Sequence, residues 1–549
     1  MRGELALPTG RLHNAPARRF SPRPIRAFLM DVTTQPATPS FRTSAACRPV
    51  VLLTLLLALA ALVRIWGLGA RSLWLDEAFS VLYAQLDWPD VIALRRTGTN
   101  PPLYHFLLSL WVDAFGAGEV AVRAPSVIFS VLSVWALYGL GRRLWDRSTG
   151  LWAAGLLAVS NMAVAYAQEA RFYALIELMA ILSTGAAHAW IRVPRRRTGL
   201  AYTALAVTFV WLHTFAWPVL AAHLAWVVRL AWRSTDRAER RRLLRGAAMA
   251  GGIVIISFLP WVAVLTDQVR TVLGGYWIPR PRPVEPLVCL YDHLTPLRWV
   301  ITRYAVAGLA VAVAVVAVVR RVRGGVKDML PPSGNTGKSP IFLLLLWLIL
   351  PIGLPFVWSC VATPIFQIKY TIVAQPAAIL LLARLAVRRP ILAMVIVAAV
   401  SLRQPPSADY PLVIEDWRGA ARIIQDAGPA AAPVYMYRDY CTFPLAYYLG
   451  GDARIVSVLA RNQRRSDFEG YTSNPAIPFD DMLDRLGQQD GPAWMVLARV
   501  RGYGENHFEQ VWGDIGSVRV IAGHWELAEV DVLRLLPQGS ADATEGANP

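Results

Sequence analysis

Long uncharged apolar runs recur through the first 400 residues of this 549-residue chain, and no other feature narrows the possible folds so far. A stretch of about 17–25 mostly apolar residues matches the ~30 Å hydrocarbon core of a bilayer. A soluble fold would have to shield many helices that are apolar all round. Eleven stretches are candidate spans: 49–67, 121–140, 149–166, 172–190, 199–212, 215–231, 247–266, 299–319, 340–359, 371–387 and 390–403. Counted from a cytoplasmic N-terminus, the inner connections are 141–148, 191–198, 231–245, 320–339 and 384–389. They hold Arg142, Arg143 and Arg147; Arg195, Arg196 and Arg197; the cluster RAERRRLLR; Arg320, Arg321, Arg323 and Lys327; and Arg384, Arg388 and Arg389. The outer connections are poorer in Lys and Arg for their length, as the positive-inside rule requires. An odd number of spans puts the C-terminus outside. The expected location is the inner (cytoplasmic) membrane, multi-pass, with a cytoplasmic N-terminus and an extracytoplasmic C-terminal domain.

This topology also accounts for the charge. The formal balance is +18, which in a soluble chain would point to nucleic acid. Here the excess lies in the inner loops, so membrane lipid is the expected partner and nucleic acid is not. The four cysteines, Cys47, Cys289, Cys360 and Cys441, form no CxxC or Cys/His pattern, which argues against a zinc or redox site. A single disulfide among the last three stays open. There is no Walker motif, no GxGxxG and no HExxH, so ATP-driven transport and zinc proteolysis have no support.

Three regions follow. Residues 1–48, rich in Arg, Pro, Ser and Thr, read as a disordered basic cytoplasmic tail, with Met30 as an alternative start. Residues 49–403 form the transmembrane domain, whose first outer loop, 68–120, holds two amphipathic segments, WPDVIALRRTG and NPPLYHFLLSLWVDAFG. Residues 404–549 alternate helical and strand patterns, with DWRGAARIIQDAG helical and APVYMYR, ARIVSVL and AWMVLAR as strands. FDDMLDRLGQQ and NHFEQVWGDIG follow as helices, and a hairpin lies near the end. This predicts a small α/β domain outside the membrane.

Candidate chemistry gathers at the outer ends of the spans. SLWLDEAFS places Asp76 and Glu77 just beyond the first span, where a carboxylate suits a base for a hydroxyl acceptor. The alternative is a solvated acid pair capping a helix that begins at Ala78. YAQEARFYAL brings Tyr166, Glu169, Arg171 and Tyr173 to the same side, and an arginine there suits a phosphate. Anchoring in the aromatic belt is the structural alternative. Glu177, deeper in the fourth span, marks a site or pairs with a cation such as Arg171. PIFQIKYTIVAQPA adds Lys369 and Tyr370, for which snorkelling to the interface is the alternative. Arg123, Asn100, Tyr104 and His105 complete the outer set, while His213 sits in a tight turn. Two acids leave room for a divalent ion, but no complete ligand set is visible, so no cofactor is expected.

In order, RIWGLGARSLWLDEAFS, TNPPLYHFLLSLW, RAPSVIFSVLSVWALYGLGRRLW, YAQEARFYALIEL and PIFQIKYTIVAQPAAILLLA resemble the membrane-embedded GT-C glycosyltransferases. The likeness spans residues 60–390 and is nearest to bacterial family-39-type enzymes, related to protein O-mannosyltransferases and lipid A aminoarabinose transferases. It implies a polytopic α-helical fold with about eleven transmembrane helices and a C-terminal extracytoplasmic α/β domain. It also implies a polyprenyl-phosphate sugar donor, an envelope acceptor and inverting transfer at the outer face. By that resemblance Asp76 is the base and Glu77 positions it. Arg171 and Lys369 neutralise the leaving phosphate, and Asn100, Tyr104, His105, Arg123, Glu169, Tyr173 and Tyr370 contact substrate. Asn100 replaces the lysine usual before Pro-Pro in aminoarabinose transferases, and Lys369 replaces the usual arginine, keeping charge but losing the fork. The competing reading is a carrier or flippase for lipid-linked saccharides, which would show repeated halves and polar residues at mid-membrane.

Overall fold

The computed structural model describes residues 48–97, 100–273, 278–296, 308, 340–402, 415–427, 431–451, 454–460, 476–499 and 505–540. Residues 48–549 cluster as one compact unit. The basic tail, the expected eighth span (299–319) and its inner loop fall outside the described residues, apart from isolated positions. The other ten expected spans each fall on helix. Among the described residues, five helical segments are long and apolar enough to cross a membrane by length and composition: Glu119–Leu144, Tyr173–Arg192, Arg237–Thr266, Ile341–Val361 and Ile368–Arg388. The chain is a multi-pass membrane protein.

The helices that build the site are α1 (Arg48–Ile65), α2 (Leu75–Ala84), α3 (Trp88–Thr97), α4 (Leu103–Phe115), α5 (Glu119–Leu144), α6 (Arg147–Ala158), α7 (Asn161–Ala167) and α8 (Tyr173–Arg192). Then come α9 (Arg196–Leu212), α10 (Ala216–Arg233), α11 (Arg237–Leu273), α12 (Glu285–Leu294) and α13 (Ile341–Val361). A 3₁₀ turn at Ile368–Ala374 leads into α14 (Gln375–Arg388), and α15 (Pro390–Leu402) follows. α5 and α6 pack through glycine. A Cβ on Gly150 would come within 2.6 Å of the Tyr138 carbonyl, and one on Gly141 within 3.0 Å of the Gly150 Cα. Close backbone approach of this kind is how helices associate where lipid removes the hydrophobic drive.

The expected single span 149–166 is instead two helices, broken at Val159–Ser160. Two partners repair the break. Ser160 Oγ accepts from Ala163 N at 3.3 Å, starting α7. Arg64 of α1, fully buried, donates to the carbonyls of Leu157 (3.1 Å) and Ala158 (2.9 Å) in the last turn of α6 and to Ser130 Oγ (2.8 Å), adding to the backbone bond that Leu157 accepts from Ser160 N (3.3 Å). Arg64, rather than Arg171, is also the cation acting on Glu177.

In the C-terminal segment a five-stranded sheet runs in the order β2-β1-β3-β5-β4, from β1 (Val434–Tyr437), β2 (Ile455–Val458), β3 (Ala493–Ala498), β4 (Arg519–Leu527) and β5 (Val530–Pro537). β1 is parallel to β2 and β3, and β5 is antiparallel to β3 and β4, the last pair forming the expected hairpin. Both faces are covered, so β1 and β3 carry no charged residue, while β5 admits Asp531 and Arg534. Trp494, Val496 and Met436 face α16 (Trp417–Ala427) and α17 (Thr442–Tyr448). Met495, Leu497 and Tyr437 face α18 (Phe479–Gln488) and α19 (Glu505–Val518). Phe443 of α17 reaches the membrane-domain core, 5.3 Å from the Phe79 ring. Cys289, Cys360 and Cys441 are all free thiols.

Candidate active site

α2 begins at Leu75, three residues earlier than the sequence suggests, so Asp76 and Glu77 lie in its first turn. Their side chains part there. Glu77 is 1% exposed and belongs to the scaffold. Its Oε1 accepts from Arg123 Nε (2.8 Å) and from Ala170 N (2.8 Å), and its Oε2 accepts from Arg123 Nη2 (2.7 Å). Arg123 also donates to the carbonyls of Leu68 (2.8 Å), Arg71 (3.0 Å) and Ser72 (3.0 Å). The five N–H groups of a guanidinium are thereby all engaged. This corrects the expectation that Arg123 contacts substrate, because it has no donor left to offer. It also excludes the solvated acid pair. The buried fork ties the loop 68–72 to the start of α2 and fixes where Asp76 stands.

Asp76 faces outward, its side chain 29% exposed. Its Oδ2 lies 3.5 Å from Arg171 Nη2 and 3.5 Å from Lys369 Nζ. Residues 293 positions apart in sequence thus meet on one carboxylate oxygen. Arg171 is held in place by Nη1 donating to the Asp76 carbonyl (3.0 Å) and Ser80 Oγ (2.8 Å). Its own carbonyl accepts from Ser126 Oγ at 3.2 Å. Lys369 Nζ stands 5.5 Å from the Trp74 ring, 5.7 Å from Tyr370 and 6.0 Å from Tyr173, an aromatic cage that suits a cation. Burial works against the charge on Arg171, but Asp76 together with the surrounding tyrosines Tyr173, Tyr104 and Tyr370 offsets this and holds the guanidinium above its usual range.

Glu169 is 5% exposed. Burial pushes its carboxyl up to about 8, with Glu77 adding to the rise and Lys369 and Arg171 opposing it. Within this short segment Glu169 Oε2, Arg171 Nε and the Tyr173 hydroxyl are buried without a hydrogen-bond partner among the described residues. Unsatisfied groups so close together are costly in a native fold and suit a site that expects a polar ligand. Tyr173 packs on Tyr166 (4.5 Å between centroids), and Tyr370 on His213 (5.1 Å) and Phe215 (5.3 Å). Tyr104 is edge-on to Phe172 at 5.9 Å, and His105 lies 6.0 Å from Tyr83. Asn100 is buried just before the Pro-Pro step. His213 uses Nδ1 to accept from Phe215 N (3.0 Å), a turn-forming role. Among the described residues no group of three or more His, Cys, Asp or Glu side chains gathers as metal ligands would.

Several site residues escaped the sequence. Trp74, Ser80 and Ser126 lie inside the quoted stretches but are assigned no role there, although Ser80 follows Asp76 by one helical turn. A second set comes from the C-terminal segment. Tyr448 OH accepts from Leu73 N (2.7 Å) and donates to Glu119. Arg418 pairs with Glu119 at 2.5 Å, donates to the Gly69 carbonyl (3.0 Å), and through its N–H bonds Ser72 Oγ (3.2 Å). The loop before Asp76 is therefore clamped from both sides.

Residues 99–263 match the family model described as dolichyl-phosphate-mannose-protein mannosyltransferase. A curated relative is undecaprenyl phosphate-alpha-4-amino-4-deoxy-L-arabinose arabinosyl transferase 2 of Pseudomonas fluorescens (strain Pf0-1). It is 26% identical over 242 residues, 39% of this chain and 41% of the relative. The GT-C resemblance is borne out. The aligned part spans about two fifths of that relative's length. Among solved structures, ArnT from Cupriavidus metallidurans in the apo state aligns with a TM-score of 0.48 at 14% identity, covering 89% of this chain and 98% of that one. The archaeal oligosaccharyltransferase AglB from Archaeoglobus fulgidus, in complex with an inhibitory peptide and a dolichol-phosphate, aligns with a TM-score of 0.40 at 11% identity, covering 73% and 63%.

Proposed function

We propose that the protein is a glycosyltransferase that moves a sugar from a polyprenyl-phosphate-linked donor to a hydroxyl- or amine-bearing envelope acceptor, whether lipid, protein or glycan. Transfer takes place at the outer face of the inner membrane, with inversion. The observation that carries this reading is Asp76 Oδ2 placed 3.5 Å from both Arg171 and Lys369. A base beside two cations matches what the reaction needs. Asp76 accepts the proton of the acceptor hydroxyl as its oxygen attacks the anomeric carbon. The bond from that carbon to the phosphate oxygen breaks, and the electron pair leaves with the polyprenyl phosphate. Arg171 and Lys369 stabilise that growing anionic charge, so in this proposal no cofactor or divalent ion is required. Glu77, locked by Arg123, positions Asp76 and takes no proton. The matched family and the Pseudomonas fluorescens relative are both named for sugars on polyprenyl phosphates, which supports the donor class.

The test is Asp76→Asn in purified full-length protein given polyprenyl-phosphate sugar and acceptor. Transfer should fall by about 10²–10⁴-fold, the usual contribution of a general base, while donor binding persists. Transfer at the wild-type rate would overturn the assignment. Mass spectrometry of envelope glycans and lipid-linked sugars in a strain lacking the gene would then name the sugar.

A further inference from the structure

The far end of the bundle carries a second polar recess. α8 starts at Tyr173, beside the Asp76 cluster, and its 20 residues at about 1.5 Å each end roughly 30 Å away, a full hydrocarbon thickness. There a pocket of about 310 Å³ opens between α8, α10 and α11, lined by His188, Arg192, Trp226, Leu230, Glu239 and Arg242. Its inner wall is aromatic: the His188 and Trp226 rings lie within 8° of parallel, 6.2 Å apart, and both residues are buried. Its rim is cationic. Glu239 is partly engaged, accepting from Ser234 Oγ (2.8 Å) and facing Arg242 at 3.8 Å. Arg192 and Arg242 are the cations among the lining residues.

An apolar track leads away from the rim. Arg242, Met249 and Ile256 are seven residues apart on α11, so each lies within about 20° of the last around the helix. Met249 is 70% exposed and Ile256 67%, with Ile253 exposed between them. A free anion would use the cationic rim alone, whereas an amphiphile with a phosphate head would use the rim and the track together. We propose that this pocket holds the phosphate headgroup of an anionic phospholipid between Arg192 and Arg242, with an acyl chain along Met249, Ile253 and Ile256. Basic pockets at the ends of membrane helices suit such headgroups. The inference is independent of the sugar-transfer chemistry.

Native mass spectrometry of the full chain in detergent tests it, with dioleoyl-phosphatidylglycerol, dioleoyl-phosphatidylcholine and inorganic phosphate as separate probes. The wild type should retain the phosphatidylglycerol adduct in preference to phosphatidylcholine. Arg192→Ala/Arg242→Ala should weaken that adduct on the order of thirtyfold, the effect of removing two cations near an anionic headgroup. Arg240→Ala/Arg241→Ala removes equal charge beside the pocket and should leave the adduct intact. Unaltered thermal midpoints would show that both variants fold. The proposal is overturned if the pocket variant keeps the adduct, if the neighbouring variant loses it equally, or if inorganic phosphate displaces the lipid at equal concentration.

Discussion

Arg123→Met isolates the scaffold from the chemistry. The guanidinium is 1% exposed and spans Glu77 and three backbone carbonyls through five hydrogen bonds. Removing it leaves Glu77 buried with the Ala170 N–H at 2.8 Å and the Trp74 N–H at 3.4 Å. Breaking one side of a buried pair costs about 3–5 kcal/mol, mostly because the surviving charge has lost its partner. Arg123→Met/Glu77→Met removes both charges, and the double variant should be less destabilised than the sum of the two singles. A coupling on the order of 1–3 kcal/mol is expected for residues in direct contact. The assay is thermal unfolding of the purified protein followed by tryptophan fluorescence, with sugar transfer measured on the protein that remains folded. The singles should lose stability and activity together, because the loop 68–72 and the start of α2 come loose. Asp76→Asn should lose activity alone. Additive single effects, or Arg123→Met as stable as the wild type, would refute the view that this pair is the frame on which Asp76 is mounted.

Lys369→Ala should lower kcat by about 10²–10³-fold, as loss of one preorganised charge-stabilising group does elsewhere, while Lys369→Arg retains most of the rate; steady-state kinetics decide. Glu169 binds a proton in the folded state that the unfolded chain releases, so stability should fall as pH rises from its ordinary 4.5 to about 8. Glu169→Gln should flatten that decline in thermal midpoint, and an unchanged slope would remove the assignment. Arg418→Ala frees Glu119 and the Gly69 carbonyl, and should raise hydrogen exchange over residues 69–73 at a stability cost of only about 1 kcal/mol for this partly exposed pair.

The apolar runs and arginine-rich connections made a polytopic helical domain legible without coordinates, because lipid leaves a backbone few ways to satisfy its hydrogen bonds. The pattern of 404–549 likewise foretold the strands and helices that pair there, since short apolar runs bounded by turn residues mark strands buried on both faces. The break at Val159–Ser160 was not legible. The segment is apolar on both sides, and Arg64, which bonds the carbonyls of Leu157 and Ala158 at the break, comes from another helix.

The sequence alone determined that Asp76, Glu77, Arg123, Arg171 and Lys369 fall at span ends on one side. Only the tertiary structure decided which of them share a carboxylate. Spacing along a chain fixes the turn of the helix on which a side chain sits, but not which of two adjacent acids turns inward. Tertiary packing gave Glu77 to Arg123, at the start of α5, and left Asp76 to Arg171 and Lys369. It also brought Arg418 and Tyr448, more than 340 residues downstream, onto the loop that holds them, a contact for which local sequence carries no signal.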